Sequence, residues 1–321
     1  VSDAAAFSGH VAALRESPGL SGKADIAGVA ARLGLADAAI PVGDDCAAIP
    51  DGDGHLLFAM EGFIAAFVEA DPWFAGWCGV MVNLSDIAAM GGRALAVCDT
   101  IWAHGEAAAT PVLEGLAAAA AAYQVPIVGG HTNLNAKDAL LSVAVLGRAK
   151  SLLTSFDAAP GDVLILASDH RGAYREPFNH YQAALSAPPE RLRGDLALLP
   201  QLAEAGLCRA AKDVSQAGIV GTAAMLAETS DVAIEIDLEA IRPPPGVTLA
   251  RWLKTFPSFG FLLSISRPHV EAALELFQRR DLHAAVIGEI YEGAGVTLRA
   301  GDLRAQLREG PLMGFAPARS V

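Results

Sequence analysis

Residues 76–92, GWCGVMVNLSDIAAMGG, carry a single charge, Asp86. Wound as a helix at about 100° per residue, Trp77, Val80, Met81, Leu84, Ile87 and Ala88 form one apolar stripe. Gly79, Asn83, Asp86 and Met90 line up opposite, with Cys78, Val82, Ser85 and Ala89 on the flank. No face is left for water, so the fold must cover this helix on every side. A carboxylate buried there has to be paired or metal-bound. Asp86 also lies toward the helix C-terminus, ahead of Gly91 and Gly92, where the dipole disfavours its charge. Two penalties call for a cation; hydrogen bonds from a loop are the alternative.

A second constraint is YQVPIVGGHTNLN, residues 123–135. The pattern predicts a buried apolar strand over 125–128 that ends at Gly129 and Gly130, with His131, Thr132 and Asn133 directly behind. Two glycines let a phosphate or a neighbouring chain come close to the backbone. Further strands are expected over 55–60, 93–102 and 140–147, and helices over 72–90 and 110–123. The pattern restarts with a strand over 162–167, so a boundary near residue 150 divides the chain into 1–149 and 150–321. The second half offers a helix after Asp213, strands near 231–238, 261–266 and 284–291, and a helix over 270–280. Taken alone, this alternation predicts a parallel α/β sheet.

The chain has 321 residues, long enough for two cores. A formal net charge of −13, with no cluster of Lys and Arg, argues against nucleic acid as a partner. An anionic ligand would have to be met by metal ions or backbone N–H groups. Cys46, Cys78, Cys98 and Cys208 lie far apart without CxxC spacing, so neither a zinc site nor a disulfide framework is expected. No stretch has the length and apolarity of a membrane helix, and no signal peptide is read. The expectation is a soluble, cytoplasmic protein.

Several other carboxylates are candidates. Asp44 and Asp45 are adjacent after a glycine, and neighbouring side chains of an extended segment point opposite ways, so only one can face a given site. A solvated turn is the plain alternative. Glu61, at a strand end, is either a ligand or an ordinary exposed glutamate, whereas Asp71 before Pro72 reads as a helix cap. Asp213 closes a short segment, Ser215 reads as the N-cap of the following helix and Gly218 falls in its first turn. Such a helix start can receive phosphate.

Taken in order, GDDCA, the acidic strand end at Glu61, ADPW, NLSDIAAMGG, VGGHT and KDVSQAG resemble the AIR synthase superfamily of ATP-using enzymes. That family includes aminoimidazole ribonucleotide synthase, selenophosphate synthase and thiamine-monophosphate kinase. The resemblance implies an α+β fold rather than a parallel sheet, with two domains. The N-terminal domains would form a β-barrel across a homodimer, and each chain would add an α+β C-terminal domain. It also implies ATP and Mg²⁺ as cofactors. Asp44 or Asp45, Asp86 and Asp213, with Glu61 as a further candidate, would be the metal ligands. Asn83, Gly129, Gly130, His131, Thr132, Ser215 and Gly218 would meet the nucleotide.

The chain departs from the family pattern in places. Thiamine-monophosphate kinases carry Asp where this chain has Glu61, His131 and Gln216. No cysteine precedes Cys46, as a selenophosphate synthase would require, although GGHT matches the form seen in those enzymes. The leading expectation is an ATP- and Mg²⁺-dependent phosphotransferase or synthase that activates an oxygen of a small metabolite. The altered carboxylates leave room for a nucleotide-binding regulator, and the acidic cluster for a metal-dependent phosphoester hydrolase. A loop over 168–185 holding Arg171 and Arg175 could take an anionic acceptor, or the two arginines could simply be solvated.

Overall fold

The computed structural model of the protein describes residues 3–35 and 38–315. Its helices are α1 (Ala4–Arg15), α2 (Pro18–Ser21), α3 (Asp25–Leu33), α4 (Ala65–Ala70), α5 (Pro72–Ala89), α6 (Glu106–Tyr123), α7 (Pro189–Leu196), α8 (Leu198–Glu204), α9 (Gly218–Ser230), α10 (Leu249–Trp252) and α11 (Val270–Gln278). Its strands are β1 (Ala47–Asp51), β2 (Gly54–Phe63), β3 (Arg93–His104), β4 (Ile127–Asn133), β5 (Asn135–Ala149), β6 (Val163–Ser168), β7 (Ala173–Tyr174), β8 (His180–Gln182), β9 (Ala210–Asp213), β10 (Val232–Asp237), β11 (Phe256–Pro257), β12 (Gly260–Ile265), β13 (His283–Glu292), β14 (Gly295–Ala300) and β15 (Leu303–Gln306). The chain divides into two compact units. The first holds 45–152 and 187–201, and the second holds the described residues up to Asp44, 153–186 and those from 202 onward. Thus α1 to α3 share a unit with the C-terminal half, and α7 returns to the N-terminal half.

In the first unit a five-stranded sheet runs β1-β2-β5-β3-β4, antiparallel except for the pair β3 and β4. Side chains alternate across it as a pleated strand requires. Leu57, Val97, Ile101, Val143 and Val145 are buried on one face, and α5 lies over them. Every residue of α5 from Phe74 to Ala89 is buried. α6 packs against α5 where two glycines cross: a Cβ on Gly76 would collide with the Val112 carbonyl, and one on Gly115 with the Trp73 carbonyl. Gly79 admits the sheet similarly, since a Cβ there would stand 2.9 Å from Val143 Cγ2. The helix with its single charge is therefore covered within its own unit and needs no second chain to bury it. What stays open is the other face of the sheet, where Phe58 faces Leu146, Met60 faces Ala144 and Trp102 faces Leu140. Phe58 and Met60 are 51% and 66% exposed.

The glycine pair does not end a buried strand. β4 is exposed for nearly all its length and continues through Gly129 and Gly130 to Asn133. The glycines answer a local need: a Cβ on Gly130 would strike the Asp99 carbonyl of β3 and stand 2.8 Å from Asp99 Oδ2. Gly129, at φ 150°, sits beside the register shift between Val97 and Asp99.

In the second unit a seven-stranded sheet runs β15-β14-β10-β13-β6-β12-β9, and only β10 and β14 pair in parallel. The parallel sheet that alternation alone predicted is not formed; the architecture is mixed α+β, as the family resemblance implied. A short sheet β11-β8-β7 stands apart from it. α9, buried along most of its length, packs on this seven-stranded sheet, and its core takes in Phe7, Val11 and Leu14 of α1. Among the described residues no sheet closes into a barrel, and no helix is long and apolar enough to cross a membrane.

Candidate functional site

α5 positions the first elements of the site. Asp71 stands at its N-cap but makes no side-chain capping bond, and Pro72 opens the first turn with the φ a helix start needs. At the other end Gly91, at φ 72°, and the bond from Gly92 N–H to the Ile87 carbonyl, 2.9 Å, close the helix. Between them Asn83 is fully buried. Its Nδ2 donates to the Gly79 carbonyl at 2.8 Å, and its Oδ1 has no hydrogen-bond partner among the described residues. One turn on, Asp86 is 6% exposed. A carboxylate oxygen of Asp86 and one of half-buried Asp45 lie within 4.8 Å of each other.

Two carboxylates held this close repel, and they form a set of hard oxygen donors with the orphaned oxygen of Asn83, about one helical turn before Asp86 on α5. Mg²⁺ takes oxygen donors and keeps several waters, so this donor set fits it. Asp44 is occupied differently. Its Oδ2 accepts from Ser155 N–H at 2.9 Å and its Oδ1 from the Ser155 hydroxyl at 2.8 Å.

Glu61 stands outside the close acidic group. It pairs with Val143 on β5, and Val143 pairs with Asp99 on β3, so Glu61 and Asp99 share one rank and one face of the sheet. Burial raises the Asp99 carboxyl above the usual carboxylate range. Asp99 escaped the sequence reading; the signal was an acid interrupting the apolar strand VCDTIW beside the glycine pair. His131 and Thr132 are exposed on β4, opposite Thr100 and Ile101 of β3.

In the second unit, Asp213 ends β9 and is 5% exposed. Ser215 is not the helix cap expected. α9 starts at Gly218 with Ala217 as its N-cap, while Ser215 Oγ accepts from Ala217 N–H at 3.5 Å. Gly218 has φ 68°, and a Cβ there would strike the Leu253 carbonyl, so both its backbone conformation and its packing call for glycine.

The loop after β6 is also organised inwardly. Arg171, partly exposed, is held by neighbours: Nε and Nη2 donate to Asp169 at 2.8 and 3.2 Å, and Nη1 donates to the Arg280 carbonyl at 3.0 Å. His170 stacks on His283 with ring centres 4.4 Å apart and shares a 3.0 Å hydrogen bond with Ser168 Oγ. Burial first, then the neighbouring His283, pushes the His170 imidazole down to about 4.

Comparison with known proteins agrees with this arrangement. The pattern of the AIR synthase related protein, N-terminal domain, matches residues 43–149, and that of the C-terminal domain matches 159–301. An uncharacterized protein of Synechocystis sp. is 48% identical over 82% of this chain and 83% of its own length. The thiamine-monophosphate kinase of Pyrococcus abyssi is 29% identical over 72% of this chain and 75% of its own. Among solved structures, T. maritima PurL complexed with ATP superposes with a TM-score of 0.70 at 19% identity, covering 86% of this chain and 47% of that one. AaThiL complexed with AMPPCP and TMP gives a TM-score of 0.65 at 19% identity, covering 88% and 96%. This chain thus spans about half the PurL chain and nearly all of the AaThiL chain. With both halves matched in order, the chain belongs to the AIR synthase related family.

Proposed function

We propose that the protein is an ATP- and Mg²⁺-dependent enzyme that phosphorylates or otherwise activates an oxygen of a small metabolite. The observation that carries this reading is the approach of Asp45, from the loop before β1, to Asp86, the one charge of α5, with the buried Asn83 oxygen on the same helix. Relatives named as thiamine-monophosphate kinase, and structures of PurL with ATP and AaThiL with AMPPCP, support it. Mg²⁺, when bound, would offset part of the triphosphate charge and stabilise the negative charge that develops on the leaving phosphate oxygen. The protein's part is positional. Asp45 and Asp86 would hold the cation, and Asn83 would orient it. Asp213, Ser215 and Gly218, with Gly129, Gly130, His131 and Thr132, are further candidates from the family resemblance for metal and phosphate contacts.

The homodimer belongs to the same proposal. The open sheet face, with Phe58, Met60, Trp102, Leu140 and Leu146 exposed on it, is apolar surface that a second copy would cover by completing a barrel. A second reading, a nucleotide-binding regulator, draws on His131 and Gln216 standing where kinase relatives carry Asp. Release of ADP from Mg²⁺·ATP across a panel of small hydroxyl and carboxyl acceptors tests the enzyme. Tight nucleotide binding without acceptor-dependent ADP release would favour the regulator, and phosphoester cleavage without ATP would favour a hydrolase.

A further inference from the structure

Glu228 lies in the last turn of α9, at the end where the helix dipole opposes a negative charge. Its carboxylate is compensated by four successive backbone N–H groups near the end of the described chain. Leu312 donates to it, as do Met313 at 3.0 and 3.1 Å, Gly314 at 2.6 Å and Phe315 at 3.1 Å. A run of N–H groups converging on one anion is a backbone nest, and bonds to a charged acceptor are the stronger kind.

The next two residues of α9 reach elsewhere. Thr229 and Ser230 both donate to the Ser155 carbonyl, at 2.6 and 2.7 Å. Ser155 in turn grips both oxygens of Asp44. Directly before Asp44, Gly43 has φ 122°, and a Cβ built on it would stand 3.2 Å from the Phe315 ring and 3.3 Å from the Thr229 methyl. The tail that Glu228 holds therefore lays its last described side chain on the loop that carries Asp44 and Asp45.

We infer that Glu228 is a positioning residue for that acidic loop: by clasping residues 312–315 onto α9 it seats Phe315 on Gly43, while Ser155 fixes Asp44, and Asp45 is thereby aimed. This rests on the reading of Asp45 as an Mg²⁺ ligand. Removal of an outer partner of a metal ligand typically weakens the metal by roughly 10–100-fold, which sets the scale. Glu228 itself would touch neither metal nor nucleotide.

The test uses the full chain with Glu228→Gln, which keeps the shape and removes the charge, and with Phe315→Ala, which removes the ring and keeps the clasp. Two readings are taken: Mg²⁺·ATP affinity by calorimetric titration, and amide exchange over 43–46 and 153–158 without ligand. Both variants are expected to speed exchange in these segments and to weaken Mg²⁺·ATP roughly 10-fold, and the double variant to lose no more than Glu228→Gln alone. Unchanged exchange would overturn this inference alone. Faster exchange with parental affinity in the folded variant would reduce the clasp to a fold stabiliser and likewise overturn it. A parent chain that binds no Mg²⁺·ATP would fail the functional reading, and the inference with it.

Discussion

Asp86→Asn separates the cost of the acidic pair from its use. In the protein without metal, two carboxylate oxygens within 4.8 Å repel by about 3 kcal/mol at an effective dielectric near 20. Asp45 is only half-buried, so solvent screening reduces this to ~1–2 kcal/mol. Asparagine keeps the size and one acceptor oxygen for the other partners of Asp86 and relieves this repulsion, so the variant should gain at most that amount over the parent, raising the melting temperature by no more than roughly 2–5 °C. With Mg²⁺·ATP present the order should reverse, because a ligand of the cation is gone. The loss should be at least the ~10–100-fold typical of an outer partner. Thermal unfolding with EDTA and then with saturating Mg²⁺·ATP reads both signs on one sample. A variant less stable than the parent in EDTA, or equally stabilised by Mg²⁺·ATP, would refute the metal reading of the pair.

Three further outcomes are expected. Gly115→Ala puts a methyl group against the Trp73 carbonyl; overpacking of about 1–3 kcal/mol should outweigh the roughly 1 kcal/mol gain in helix propensity, and a higher denaturation midpoint would show that the helix crossing has slack. His170 titrates in the folded chain at about 4, below its ordinary value of 6.5, so its contribution to stability is complete above pH 6.5 and is lost as pH falls toward 4. The denaturation midpoint should fall through that window less steeply in His170→Asn, and identical slopes would remove His170 as the cause. Among the four cysteines only Cys98 is exposed, and it sits on the open sheet face. In a dimer through that face Cys98 should react slowly with a thiol reagent, while Met60→Asp should give a monomer by light scattering in which it reacts fast; equal rates would argue against a dimer through that face.

The sequence by itself determined a good deal of this. A helix with one charge had to be buried on every side, and α5 is, because no rotation about its axis offers water a polar face. The period of apolar residues located β2, β3, β5 and β6 to within a few residues, since alternation on a half-buried strand is a local property. NLSDIAAMGG and KDVSQAG, in order with the other motifs, carried the resemblance to the family that both halves of the chain match.

Tertiary structure decided what depends on neighbours distant in the chain. Nothing in 123–135 says that Gly130 answers to Asp99, or that the strand continues through the glycines, because that requirement arises from pairing with β3. Strand alternation could not distinguish parallel from antiparallel pairing, which is set by how the connections return. It could not tell Asp44 from Asp45 either: adjacent acids look alike until Ser155, more than a hundred residues away, takes both oxygens of one of them. The sequence required that α5 be covered without saying by what; Gly76 and Gly115 let α6 cover it from within its own unit. A buried surface is visible in a sequence as composition, but the identity of what covers it is a contact, and contacts are made only when the chain has folded.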